Sequence, residues 1–196
     1  MRNQQRKEET HQRMLESASQ NFRSHGYAGI GVDGIAKAAG VTSGAFYAHF
    51  GSKDGAFSAA LDAGLDEVIA GIPKFQQDFG SQWVQAFADY YLSVAHRADL
   101  KGGCAMTTLS PEVARSDPRV HAAYETKMTK IADLIATGLS GGSDEQRYTR
   151  AWAMLSTLIG GLTMSRAVKS PKLAEIIANA VSETAVKAAG KAKVVR

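Results

Sequence analysis

Apolar residues recur every three or four positions along almost the whole chain, and no stretch alternates apolar with polar as a half-buried strand would. A helix that carries one apolar stripe buries it against other helices, so this pattern points to an all-α fold. Local stop and start signals divide the chain. Met14, Leu15, Ala18 and Phe22 make the stripe of a first helix, which ends near residues 25–27 with a Gly in the cap region. A short second helix over 32–39 stops at Gly40, and Thr42 is placed to cap a third by accepting a first-turn amide. Ser52 plays the same part for a fourth helix bearing Phe57, Leu61, Leu65 and Val68, expected to stop near Pro73.

Longer helices follow. One is expected over 81–96, and a short one bearing Cys104, Met106 and Leu109 comes after Lys101, Gly102 and Gly103. Asp117 as cap and Pro118 in the first helical position open a helix with Val120, Tyr124, Met128 and Ile131 on its stripe, ended by Gly138. Ser143 and Gln146 fit a capping box, and Ser170 with Pro171 opens the last helix. The expectation is about nine helices.

Composition excludes several classes. With 44% hydrophobic and 21% charged residues the chain has the make-up of a globular protein. No apolar run approaches the roughly 18 residues of a membrane span, and the polar start lacks the apolar centre of a secretory signal, so no membrane partner is expected. One cysteine, Cys104, rules out an internal disulfide, and a reducing cytoplasm is the expected compartment. The net charge of +4 is unevenly spread. Residues 1–54 hold seven Lys/Arg against five Asp/Glu, and residues 55–186 hold twelve against fourteen. Lys187, Lys191, Lys193 and Arg196 then close the chain without an acid, so the high pI of about 9.2 owes much to the tail.

The stretch VTSGAFYAHFGSKDGAF, from Val41, asks for more than a core. The second and third helices are short and joined by a tight Gly-containing turn, the helix-turn-helix pattern. Ala36, Ala39 and Gly40 let the helices cross closely, while Ile35, Val41 and Phe46 point to the shared core. Ser43, Gly44 and Ala45 then fall in the first turn of the third helix, where small side chains admit the backbone to a DNA major groove and Ser43 can bond a base. Thr42, Tyr47, His49 and Lys53 carry donors suited to flanking phosphates, and Lys53 starts the fourth helix, whose dipole also favours anions.

The segment FRSHGYAGIGVDGIAKAAGVTSGAFYAHFGSKDGAF closely resembles the TetR family of bacterial transcription regulators, with its "G-Y", "I-A-x-x-A-G-V", "G-x-[FL]-Y-x-H-F" and "S-K-[DE]" elements at matching spacing. The resemblance covers roughly residues 10–60. It implies a dimeric, nine-helix, Ω-shaped repressor that leaves palindromic double-stranded operator DNA when a small-molecule inducer binds. By motif position it assigns DNA contacts to Thr42, Ser43, Ala45, Tyr47, His49 and Lys53. This chain departs from the family where Gly31 replaces the Ser or Thr that caps the second helix and touches phosphate, and where Asp33 and Gly34 replace the usual neighbours.

In the second half, Trp83, Phe87, Tyr90, Tyr91, Met106, Tyr124, Met128 and Trp152 are richer in polar-tipped aromatics than a dry core needs. They are the candidate lining, with Cys104, of a mostly apolar ligand pocket. The histidines (His11, His25, His49, His96, His121) have no Cys or His partner at metal-ligand spacing, and no metal or cofactor is expected. On the last two helices Gly160, Gly161, Ala174, Ala178 and Ala180 lie among Leu155, Ile159, Leu162, Ile176 and Ile177, a composition suited to a homodimer interface.

The expected organisation is a helix-turn-helix domain over 1–52, a helical ligand-binding and dimerisation domain over 53–189, and a basic, disordered tail over 190–196. Cys104 at a helix start leaves a thiol-sensing repressor as the alternative reading. A Cys-dependent enzyme using His96 or His121 as base lacks a nucleophile motif and an orienting carboxylate. A helical adaptor leaves the recognition segment unexplained.

Overall fold

The computed structural model describes residues 2–193, and among them there are ten α-helices. They are α1 (Arg2–His25), α2 (Val32–Ala38), α3 (Ser43–Phe50), α4 (Lys53–Phe79), α5 (Trp83–Tyr91), α6 (Val94–Ala98), α7 (Ala105–Val113), α8 (Pro118–Gly138), α9 (Asp144–Ala167) and α10 (Pro171–Ala189). A 3-10 turn, Gly80–Gln82, precedes α5. Among the described residues no helix is long and apolar enough to cross a membrane.

The expected capping side chains all engage. Thr42 accepts from the Ala45 amide, Ser52 from Gly55, and Ser170 from Leu173. Asp117 accepts from the Arg119 amide, and Ser143 with Gln146 closes a complete capping box. Two expectations fail. Residues 81–96 form two helices, because the chain turns at Leu92 and the Ser93 hydroxyl caps a new one by accepting from the His96 amide. Nor does Pro73 end α4, which runs on to Phe79. An interior proline costs about 3 kcal/mol. Contacts on either side oppose that cost: Ile72 is fully buried, Gln76 donates to the Leu134 carbonyl at 2.8 Å, and Phe75 packs edge-on to Phe87.

The helices group into two compact units. One holds the chain up to Gly64 together with Leu100–Tyr124. Its core joins Met14, Ala18 and Phe22 of α1 to Ile35, Phe46, Phe57 and Leu61, all buried. Phe22 meets Phe57 edge-on, and buried Ser17 donates to the Ile35 carbonyl at 2.9 Å, tying α1 to α2. Helix α7 belongs here with buried Met106, Leu109 and Val113. Its Glu112 carboxylate accepts from the Tyr27 amide at 3.3 Å, which fixes the loop leading into α2.

The other unit holds Leu65–Asp99 and the chain from Glu125 onward. Here α9 and α10 form a helical hairpin with Leu155, Leu158 and Leu162 of α9 buried, as are Ala178 and Ala185 of α10. Arg166 donates to the carbonyls of His96 and Asp99, satisfying acceptors at the end of α6. The tail is not free over residues 190–193: Lys193 donates to the Gly138 carbonyl, the Ser140 amide donates to Lys191, and Leu139 bridges to Ala192. The remainder of the expected tail, residues 194–196, lies outside the described residues.

Candidate nucleic-acid interface

Helices α2 and α3 are joined by a turn that Gly40 makes possible with a φ of 68°. The amides of Gly40 and Val41 return to the carbonyls of Lys37 and Ala36, which closes α2. Ile35 and Phe46 are fully buried and pin the pair to α1. With one face of α3 held in this way, the opposite face is solvent-exposed at Thr42, Gly44, Tyr47 and Ala48, and Ser43, Ala45 and His49 are half-buried. Tyr47 is 51% exposed although its ring stands edge-on to Phe46. The first turn of α3 thus carries small side chains on its outer side, suited to close approach by a base edge.

Several polar residues of this surface are positioned by a neighbour. Lys53 lies with its ammonium 4.3 Å from the centre of the Tyr27 ring. The Tyr27 hydroxyl donates to Asp54, and burial together with that carboxylate pushes the phenol up to about 12. His49 and His11 approach with 3.3 Å between their Nδ1 atoms, so α1 supplies the ring that orients the α3 histidine. His49 is held below the ordinary histidine value by burial first, then by His11 and Lys7. Ser43 donates to Asp33 at 2.5 Å. Gly31 precedes α2 with no side-chain cap, consistent with the departure noted in the sequence.

Sequence reasoning missed His11, Tyr27 and Asp33 as members of this surface. Tyr27 and Asp33 lie in the helix-turn-helix segment itself, and a fixed helix-turn-helix geometry could have brought Asp33 beside Ser43. His11 is 38 residues from its partner and gives no local signal. His11 and His49, unpaired by spacing, therefore do meet in space, although among the described residues no three metal-ligating side chains gather.

The candidate ligand residues fall into both units. In the first, Met106 is fully buried, Cys104 is half-buried, in no disulfide, and precedes α7, and Tyr124 shares a 2.6 Å hydrogen bond with Ser110. Burial raises the Tyr124 phenol. In the second, Trp83, Phe87, Tyr91 and Met128 are buried, and Trp83 is committed to structure by donating its indole N–H to the Gly138 carbonyl at 3.1 Å. Tyr90 is 55% exposed, and half-buried Trp152 meets Tyr148 edge-on. Phe75, Phe87, Tyr90, Tyr91 and His96 form one continuous aromatic cluster. Burial and the Arg166 charge hold His96 below its ordinary value.

The family model of bacterial regulatory proteins of the tetR family matches residues 14–60, and that of the tetracyclin repressor-like C-terminal domain matches residues 80–181. The chain belongs to the TetR family. This TetR-family chain is 33% identical over 106 residues to the HTH-type transcriptional repressor ComR of Escherichia coli, covering 50% of each. It spans about half the length of the curated relatives it matches. Among solved structures, a TetR-family regulator from Cytophaga hutchinsonii superposes with a TM-score of 0.76 at 17% identity, covering 92% of this chain and 94% of that one. The reduced form of Escherichia coli NemR superposes at 0.72 with 18% identity, covering 90% and 97%. These likenesses establish the TetR fold along nearly the whole chain.

Proposed function

We propose that the protein is a DNA-binding transcriptional repressor that works as a homodimer in the cytoplasm and leaves its operator when a small, mostly apolar molecule binds the C-terminal half. The observation that carries the reading is the α2–α3 pair: Ile35 and Phe46 anchor it, and Thr42, Gly44 and Tyr47 face outward on α3. Ser43 and Ala45 serve base recognition; Thr42, Tyr47, His49 and Lys53 serve phosphate contact. The relative ComR, named a transcriptional repressor, supports the same direction.

What α9 and α10 leave uncovered supports dimerisation. Met164 is 61% exposed, Leu173 45% and Ile176 56%, large apolar groups that a second copy would cover. Leu155, Leu162 and Ala178 are instead buried within the chain, so the interface assigned to these helices shifts to Gly160, Met164, Leu173 and Ile176. The aromatic cluster of Phe75, Phe87 and Tyr91 supports an apolar inducer.

Titration onto the duplex upstream of the protein's own gene, against a scrambled duplex over a range of salt, tests the function. The reading expects two protected half-sites and an affinity that falls linearly in log–log with salt. Equal affinity for both duplexes would overturn it.

A further inference from the structure

Ser43 and Asp33 sit in the first turns of α3 and α2. The Thr42 cap fixes the α3 turn through the Ala45 amide, and Gly34 packs so closely on Ile30 that a Cβ there would come within 2.6 Å of its Cδ1. Asp33 is exposed and Ser43 half-exposed, so the Ser43–Asp33 hydrogen bond of 2.5 Å lies on the outer surface of the helix-turn-helix. A hydroxyl has one proton to give and two lone pairs, and an ionised carboxylate only accepts. With its proton committed to Asp33, Ser43 presents acceptors alone, beside a second acceptor-only group.

We propose that Asp33 is a specificity-determining residue, which turns Ser43 into an obligate acceptor and selects a base with a major-groove amine. This inference rests on the reading of α3 as the element that enters the groove. In the major groove only cytosine N4 and adenine N6 are donors; guanine presents N7 and O6, and thymine O4 and a methyl group. A free serine tolerates either kind of edge by rotating its hydroxyl. Here rotation toward a guanine or thymine acceptor breaks the bond to Asp33 and leaves two acceptors facing the carboxylate. One base position in each half-site is therefore restricted to cytosine or adenine, by a side chain that sequence spacing does not mark as a contact.

The test is selection of duplexes from a randomised half-site library by the wild type, Ser43→Ala, Asp33→Ala and Asp33→Asn at one salt concentration, followed by affinity measurements on single-base variants. The wild type should prefer cytosine or adenine at one position by roughly five- to tenfold, the scale of one good hydrogen bond. Ser43→Ala should lose the preference at that position only. Asp33→Ala should accept all four bases there, because the hydroxyl rotates freely again. Asp33→Asn, whose amide can donate to the Ser43 oxygen, should free the serine proton and move the preference toward guanine or thymine. Identical base rankings for wild type and both Asp33 variants would overturn the inference while leaving operator binding intact, as would a uniform affinity change at every position. A wild type that enriches no sequence would overturn both the inference and the reading beneath it.

Discussion

Helices α9 and α10 approach closely at Gly161, and replacing it with alanine probes their packing directly. A Cβ at this position would lie 2.3, 2.5 and 2.8 Å from Cγ1, Cγ2 and Cβ of Val181. Carbon atoms rest at about 3.5–4.0 Å, so the helices must part by about 1 Å or the side chain must move. Val181 is β-branched and stiff about χ1 in a helix, which closes the cheaper route. Overpacking costs about 1–3 kcal/mol, and three such contacts on a stiff neighbour put this case in the upper half. Alanine gains back about 1 kcal/mol over glycine in helix propensity, leaving a net loss of about 1–2 kcal/mol. Gly71, inside α4, is the control. Its added Cβ meets nothing within 4 Å, so Gly71→Ala keeps only the propensity gain. That gain is about 0.5–1 kcal/mol. Urea unfolding followed by helical circular dichroism, at one fixed protein concentration, reads both. The two variants should straddle the wild type, with melting temperatures moved by about 2–4 °C per kcal/mol. A Gly161→Ala protein at least as stable as wild type would refute this account of the hairpin.

Other perturbations have definite signs. Thr42→Ala removes the acceptor for the Ala45 amide and should cost about 1 kcal/mol in urea unfolding, with operator affinity falling as well. Lys53→Ala should weaken binding to every duplex alike and lower the salt slope by about one unit, read in a salt-series titration; an unchanged slope would remove Lys53 from the phosphate contacts. Ile176→Arg places a charge on the exposed apolar face and should yield monomers in sedimentation, while a wild type that is monomeric at the same concentration would discard the dimer. His49 and His96 are both held below the ordinary histidine value of 6.5, so the unfolded chain binds their protons first as pH falls. Their contribution to stability is present above about 6.5 and is lost below it, and the urea midpoint should drop from pH 7 to about 5.5, less so in His96→Gln.

What the sequence disclosed follows the range of each interaction. Thr42, Ser52, Asp117, Ser143 and Ser170 cap their helices through atoms two or three residues away, and local pattern was enough to find them. Pro73 misled because the contacts that carry α4 past it, from Gln76 to Leu134 and from Phe75 to Phe87, come from other helices. Helical spacing showed that Leu155 and Ile176 are apolar but not that the first faces its own chain and the second faces solvent. The motif around Tyr47 named the outer face of α3, while the groups that orient it, His11 and Asp33, come from other helices. Aromatic richness in the second half indicated burial more surely than a ligand: Trp83 spends its polar atom on Gly138, and Tyr90 lies at the surface.

Dimethyl sulfate footprinting of the bound operator tests the central claim, that the first turn of α3 enters the major groove. The reagent methylates guanine N7 in the major groove and adenine N3 in the minor groove, so it reports which groove the protein fills. Guanine N7 should be protected in two half-sites on one face of the duplex, spaced by about 10 base pairs or a multiple. Adenine N3 in the same half-sites should stay reactive, and the N7 protection should be lost or weakened when Gly44 is replaced by a bulky residue. Protection of adenine N3 with guanine N7 left reactive would contradict the central claim, because the protein would then be reading the minor groove with some other surface.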